Sequence, residues 1–279
     1  MAPAFVPGRR GVVVGAALLV WCSSASAAAP TWSETVSAGM VSATLTTTYA
    51  DAADVILRAD DLELVVTHQG AGSPTRWRGA AFRPWGPDQA IVSRDGAVQL
   101  VDITGDGEAE VLVDIYTGGA HCCSVSYVAW RSDNSARYRM RGIRWGNSAA
   151  SLSDLNGDGA LEFVGVDDRF ATAFGPYAVA EFPARVWSLA ADGPTVTTRH
   201  YRPYAMAAMR SSWAMFLEHR RRGDPTTGAL AAYLANASNV GGVAVSGGWG
   251  RARRVMGTSG ARTVRAIERR LRGWGYRTR

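Results

Sequence analysis

The chain has no lysine among its 279 residues, only three cysteines and only four histidines. Without an ε-amine, P-loop phosphate binding, Schiff-base chemistry and Ser-Lys acylation are excluded, because the arginine guanidinium stays protonated and cannot stand in for it. The histidines are His68, His121, His200 and His219, and none belongs to an H-E-x-x-H pattern; G-x-S-x-G and G-x-G-x-x-G are also missing. After the first thirty residues no stretch approaches the roughly 20 apolar residues of a membrane span. Apart from Cys22, the cysteines are an adjacent pair, Cys122 and Cys123, without the C-x-x-C spacing of thioredoxin-like motifs. A trans peptide sets neighbouring Cα atoms about 3.8 Å apart, closer than is usual for a disulfide, so a bridge between these two is strained. Such a bridge either rigidifies the loop or serves as a reducible redox element. A zinc or copper site from His121, Cys122 and Cys123 needs a turn, since alternate residues of an extended segment face opposite sides.

What the chain does have is one pattern written twice, 52 positions apart: Asp102 to Glu110 (DITGDGEAE) and Asp154 to Glu162 (DLNGDGALE). Oxygen-bearing side chains recur at loop positions 1, 3, 5 and 9, as Asp102, Thr104, Asp106 and Glu110, then Asp154, Asn156, Asp158 and Glu162. The position 7 carbonyls belong to Glu108 and Ala160, and Gly107 and Gly159 at position 6 permit a sharp turn. Alternate oxygens on a tightly curled loop are what a hard divalent cation requires, so the pattern predicts calcium, one ion per loop. An EF-hand is excluded, because position 12 is Val113 or Gly165 and the flanking residues have strand rather than helix character.

On these residues the chain resembles the FG-GAP/VCBS-type repeats of secreted bacterial proteins and integrin-like propellers, in which such a loop joins two strands of a blade. From Val41 to Trp213 it also resembles uncharacterised secreted bacterial proteins that follow the first loop with the segment Tyr116 to Cys123 (YTGGAHCC). The first resemblance implies calcium and a β architecture; neither implies an activity.

Taken in order, residues 1–27 combine a basic start (Arg9, Arg10), an apolar run and an Ala-Ser-Ala end, the layout of a cleaved export signal, with the Sec and Tat routes both open. Residues 28–200 are expected to form the calcium-loop β domain, propeller-like or sandwich-like, with strands at 41–49, 62–68, 98–116, 124–130, 137–145, 151–166, 171–178, 184–190 and 195–201. Trp77, Phe82 and Trp85 either pack over a sheet or stack on a sugar. Asp167 and Asp168 form a carboxylate pair of the kind a glycosidase uses, but adjacent residues on a strand point apart, so they are expected to be solvated or to be further calcium ligands. Beyond Pro203 the period becomes helical: a helical segment at 201–239 carries Met206, Met209, Trp213 and Phe216, then restarts after Asp224-Pro225. Residues 240–260 are glycine-rich and predict a flexible linker. Residues 261–279 form a basic C-terminal helix that resembles the last helix of peptidoglycan-binding modules.

Charge divides the chain. Residues 28–199 hold 21 acidic side chains against 13 arginines, and residues 200–279 hold 15 arginines against 3 acidic side chains. A basic tail on an exported protein meets anionic wall polymers or glycans before it meets nucleic acid, so no specific nucleic-acid partner is expected. The expected function is that of a secreted or extracytoplasmic calcium-binding protein, non-enzymatic and either binding or structural, of the cell envelope or the extracellular space. The competing readings are a secreted hydrolase acting on envelope polymers and a thiol-disulfide protein using Cys122 and Cys123.

Overall fold

A computed structural model describes residues 31–48, 56–59, 62–70, 72–82, 90–93, 96–119, 122–132, 135 and 137–278. The expected export signal and Trp85 lie outside the described residues.

Three antiparallel sheets come first. The first has the order β1-β2-β4-β5, from β1 (Thr31–Ala38), β2 (Val41–Thr48), β4 (Glu63–His68) and β5 (Thr75–Arg78). In β2 the residues alternate strictly between buried and half-buried, so Val41, Ala43 and Leu45 face the core while Thr44 and Thr46 meet threonine and serine partners on β1. The second sheet runs β10-β9-β8-β6-β3, with β7 also pairing with β8. Its strands are β3 (Ile56–Ala59), β6 (Ala90–Ser93), β7 (Val98–Val101), β8 (Glu110–Gly119), β9 (Cys122–Trp130) and β10 (Arg139–Gly146). The third sheet is the meander β11 (Ser151–Ser153), β12 (Glu162–Val166), β13 (Ala184–Ala190) and β14 (Gly193–Val196).

The repeat has a structural meaning. β7-β8-β9-β10 and β11-β12-β13-β14 are both antiparallel meanders of four strands, and each acidic loop joins the first strand of its meander to the second. Successive sheets are tied by long-range polar contacts. Glu34 of β1 accepts from the amides of Gly96 (2.9 Å) and Val98 (3.1 Å), and the Trp130 indole of β9 donates to the Ala191 carbonyl (3.1 Å). Trp145, Phe163 and Trp187 pack between the second and third sheets, with ring centroids 4.8 Å apart for Trp145 and Trp187.

Helices follow: α1 (Arg202–Arg222), α2 (Thr227–Val240), α3 (Val243–Met256) and α4 (Ala261–Gly273). Gly223, left-handed at φ 79°, ends α1 by donating to the Arg220 carbonyl, as the basic run before it predicts. Every residue of α2 from Gly228 to Val240 is buried, because α1, α3 and α4 surround it and its remaining side docks on β13. That docking is polar: Asn236 Oδ1 accepts from the Ala184 amide (3.0 Å) and Asn239 donates to the Ala184 carbonyl (3.1 Å).

Two expectations need correction. Residues 240–260 are not a flexible linker; α3 occupies most of them. Val245, Trp249 and Ala252 recur at helical spacing and are buried, and Gly248 lets α3 approach α2, since a Cβ there would sit 3.1 Å from that of Ala237. Residues 171–178 form turns rather than a strand, because Phe170 and Phe174 turn toward the helical core and Gly175-Pro176 breaks the extended run. Of the two readings of Trp77 and Phe82, packing over a sheet is the one seen: both pack on the core of the first two sheets, with Phe82 edge-on to Tyr127 at 5.0 Å.

Candidate functional site

Both acidic loops wind in the same way, and local chemistry dictates how. Asp102 bends its carboxylate over its own loop, accepting from the amides of Gly105 (2.7 Å) and Gly107 (2.9 Å). Asp154 does the same with Gly157 (2.6 Å) and Gly159 (3.0 Å), and those amides hold its carboxyl below the usual aspartate range. At position 5, Asp106 accepts from the Glu108 amide (2.8 Å) and Asp158 from the Ala160 amide (2.9 Å). Short carboxylates that capture amides further along the chain curl it into Asx turns. The turns need left-handed residues at positions 4 and 6, and Gly105, Gly107, Gly157 and Gly159 supply them at φ 73°, 87°, 79° and 90°.

Position 9 lies underneath. Glu110 and Glu162 are 5% and 2% exposed; Glu110 accepts from the amides of Ile103 (2.7 Å) and Thr104 (3.3 Å), and Glu162 from that of Leu155 (3.0 Å). Burial pushes the Glu110 carboxyl up to about 7, opposed by those two amides and reinforced by the charges of Asp106 and Asp102. At position 3, the Thr104 hydroxyl donates to Glu110 (3.4 Å), while Asn156 donates its amide to Asp158 (2.8 Å). The Glu108 side chain turns away to Arg131 (2.9 Å from Nε), which holds its carboxyl below the usual range, with His68 at 3.6 Å and the Tyr138 hydroxyl at 3.3 Å.

The loops also touch each other. Leu161 of the second donates its amide to the Ile103 carbonyl of the first (2.8 Å), and a Cβ at Gly105 would stand 2.9 Å from the Gly159 carbonyl group. Two acidic turns, with Asp106, Asp154 and Asp158 exposed and Asp102 half-buried, are therefore packed together through Ile103, Gly105, Gly159 and Leu161, with a buried glutamate in each. The donor atoms are all oxygen, which suits a hard cation. Among the described residues, however, no three His, Cys, Asp or Glu side chains already stand grouped as a metal site.

Cys123 is disulfide-bonded, and its amide donates to the Thr117 hydroxyl (2.9 Å). The Cys122 side chain and His121 lie outside what is described.

A second polar centre was hidden from sequence reasoning. Asp167, expected to be solvated or a calcium ligand, is 1% exposed and bound by Arg169 (2.8 Å from Nε), Arg185 (3.3 Å) and the Tyr276 hydroxyl (2.8 Å). Burial alone would push its carboxyl up, yet Arg169, Arg185 and Tyr276 together hold it below the usual range. Asp168 points elsewhere, over Gly146, and caps the Asn147 amide (3.0 Å). The signal in the sequence is the adjacency of the two carboxylates, which must diverge; the partners, up to 109 residues away, carry no local mark.

Comparisons add two relatives. No protein-family model matches the chain, and no solved structure does. Among curated proteins, it is 32% identical over 149 residues to a probable thylakoid lumen protein of Synechocystis sp., a match covering 52% of this chain and 44% of that protein. It is 25% identical over 158 residues to an uncharacterized protein of Sinorhizobium fredii, covering 53% of this chain and 25% of that one. The chain thus spans less than half the length of either relative.

Proposed function

We propose that this chain is an extracytoplasmic protein with a binding or structural role, whose two adjacent acidic loops each take a calcium ion in the manner of FG-GAP/VCBS-type repeats. The observation that carries this reading is the pairing of the loops: two identical Asx windings, at equivalent places in consecutive meanders, packed against each other. The similarity to a protein described as lumenal supports a place outside the cytoplasm, and so does the character of residues 1–27. Among the described residues no helix is long and apolar enough to cross a membrane.

Asp102, Thr104, Asp106 and Glu110, with the Glu108 carbonyl, would hold one ion; Asp154, Asn156, Asp158 and Glu162, with the Ala160 carbonyl, would hold the other. Each ion would supply positive charge where three carboxylates repel one another, and so would fix the strands that the loop joins. The blade-like meanders with loops between their first and second strands favour a propeller-like arrangement over a plain sandwich.

Calorimetric titration of chelator-treated protein tests this. We expect two calcium ions per chain, bound at about 0.1 to 1 mM as in other extracellular modules, with Asp106→Ala and Asp158→Ala each abolishing one. Protein that takes up no calcium, or that loses none on either substitution, would overturn the reading and reopen the hydrolase and thiol-disulfide alternatives.

A further inference from the structure

Away from both loops, the end of the chain closes a recess of about 400 Å³ against the third sheet. Arg169, Arg185, Arg199 and His200 line it from the sheet side, and Trp274 and Tyr276 from the tail. The recess exists because the tail is pinned. Gly275, left-handed at φ 84°, turns the chain after α4, so that Tyr276 reaches Asp167 while the Gly275 carbonyl accepts from Arg199 (3.1 Å). The Arg277 amide then donates to Ser238 of α2 (2.6 Å).

The wall is selective in what it can still bind. Three of its neutral polar side chains are already engaged: Thr197 with Ser188 (2.7 Å), Thr198 with the Val186 amide (2.9 Å) and Asn239 with the Ala184 carbonyl. Arginine is different, because a guanidinium has five N–H donors. Arg199 gives one to Gly275 and, among the described residues, is in no ion pair. Arg169 and Arg185 share a single carboxylate, Asp167, so three guanidinium charges face one buried negative charge. The volume exceeds that of a bare oxyanion and falls at the lower end of the range for small-molecule sites. Trp274 and Tyr276 supply aromatic surface, with the Arg169 guanidinium 4.9 and 6.0 Å from their ring centroids.

We propose that this recess is a binding site for an oxyanion-bearing sugar, its phosphate or carboxylate held by Arg199, Arg185 and Arg169 and its ring set against Trp274 and Tyr276. Planar guanidinium forks match both oxyanions in bidentate fashion. The site uses no loop residue and does not depend on calcium.

The test titrates the full chain with glucose 1-phosphate, glucuronate, inorganic phosphate and glucose, following tryptophan fluorescence and heat, once in calcium and once in chelator. We expect both anionic sugars to bind in either condition, inorganic phosphate to bind more weakly, and glucose not to bind. Raising salt should weaken the anionic sugars. Arg199→Ala, which removes no ion pair but does free the Gly275 carbonyl, should weaken binding about tenfold, the loss of one charge-assisted hydrogen bond, with an unchanged circular dichroism spectrum and melting temperature showing that the tail stays docked. Arg185→Gln should do the same if it folds, and Arg199→Ala decides the matter if it does not. Glucose binding as well as the anionic sugars, inorganic phosphate binding as well as they do, no binding by any anion, or full affinity in Arg199→Ala would each overturn the proposal.

Discussion

Asp167 shows how a single side chain joins the two halves of the molecule. It leaves the end of β12, lies buried, and collects Arg169 next to it, Arg185 from β13 and Tyr276 from the tail. Removing one member of a buried, hydrogen-bonded charge cluster leaves the others uncompensated. Asp167→Asn is therefore expected to lose about 3 kcal/mol of stability at neutral pH, measured by urea unfolding. The sign with pH follows from the lowered carboxyl. The stabilisation is complete above the ordinary aspartate value of 3.8 and is lost as pH falls through the lower folded value. Wild type should lose stability with falling pH in that window, and Asp167→Asn should show a shallower loss. The sequence announced a carboxylate pair here and no more, because a strand fixes which way a side chain points but not which distant cations arrive.

Among the elements, the acidic loops were the most legible and α3 the least. The turn at position 6 could be assigned from the sequence, since a left-handed glycine is local chemistry, whereas the Asx bonds of Asp102, Asp106, Asp154 and Asp158 were not foreseen, those carboxylates being read there as calcium ligands. The inward course of Glu110 and Glu162 was not legible, because it depends on the strand pairing that buries them. The same limit governs the glycines. Gly107→Ala meets open space and should cost only the left-handed strain of about 1 to 2 kcal/mol. Gly105→Ala adds a clash with the neighbouring loop, so it should cost about 1 to 3 kcal/mol more. A pair of unfolding curves in chelator checks the difference, and equal losses would mean that the loops are not packed together. In α3, glycine content concealed a helix whose Trp249 is 2% exposed. Trp249→Ala should cost about 3 to 5 kcal/mol, whereas a residue in a linker would tolerate the change.

At the scale of the whole molecule, the charge division left two courses for the basic tail, adhesion to anionic polymers or folding back on the acidic domain, and the tail is built into the fold. α4 buries Val264, Ile267 and Leu271 in the helical core, and residues 274–278 return to the third sheet and α2. What was legible at this scale was the order, sheets first and helices after, because hydrophobic period changes from two to 3.6 near Pro203. What was not legible was that the helices dock back, since Asn236, Asn239 and Tyr276 act through tertiary contacts alone. The acidic rims of the two loops remain the feature on which the functional reading turns. Thermal unfolding of the full chain in chelator, magnesium and calcium tests it most directly. Binding to the folded state alone stabilises by about 2.7 kcal/mol at a hundredfold excess over Kd, and magnesium fits poorly because it demands a tighter octahedral shell. Calcium binding predicts a melting temperature lowest in chelator, raised by calcium more than by magnesium, with the calcium increment reduced in Asp106→Ala and in Asp158→Ala. A melting temperature that is the same in all three solutions would contradict it.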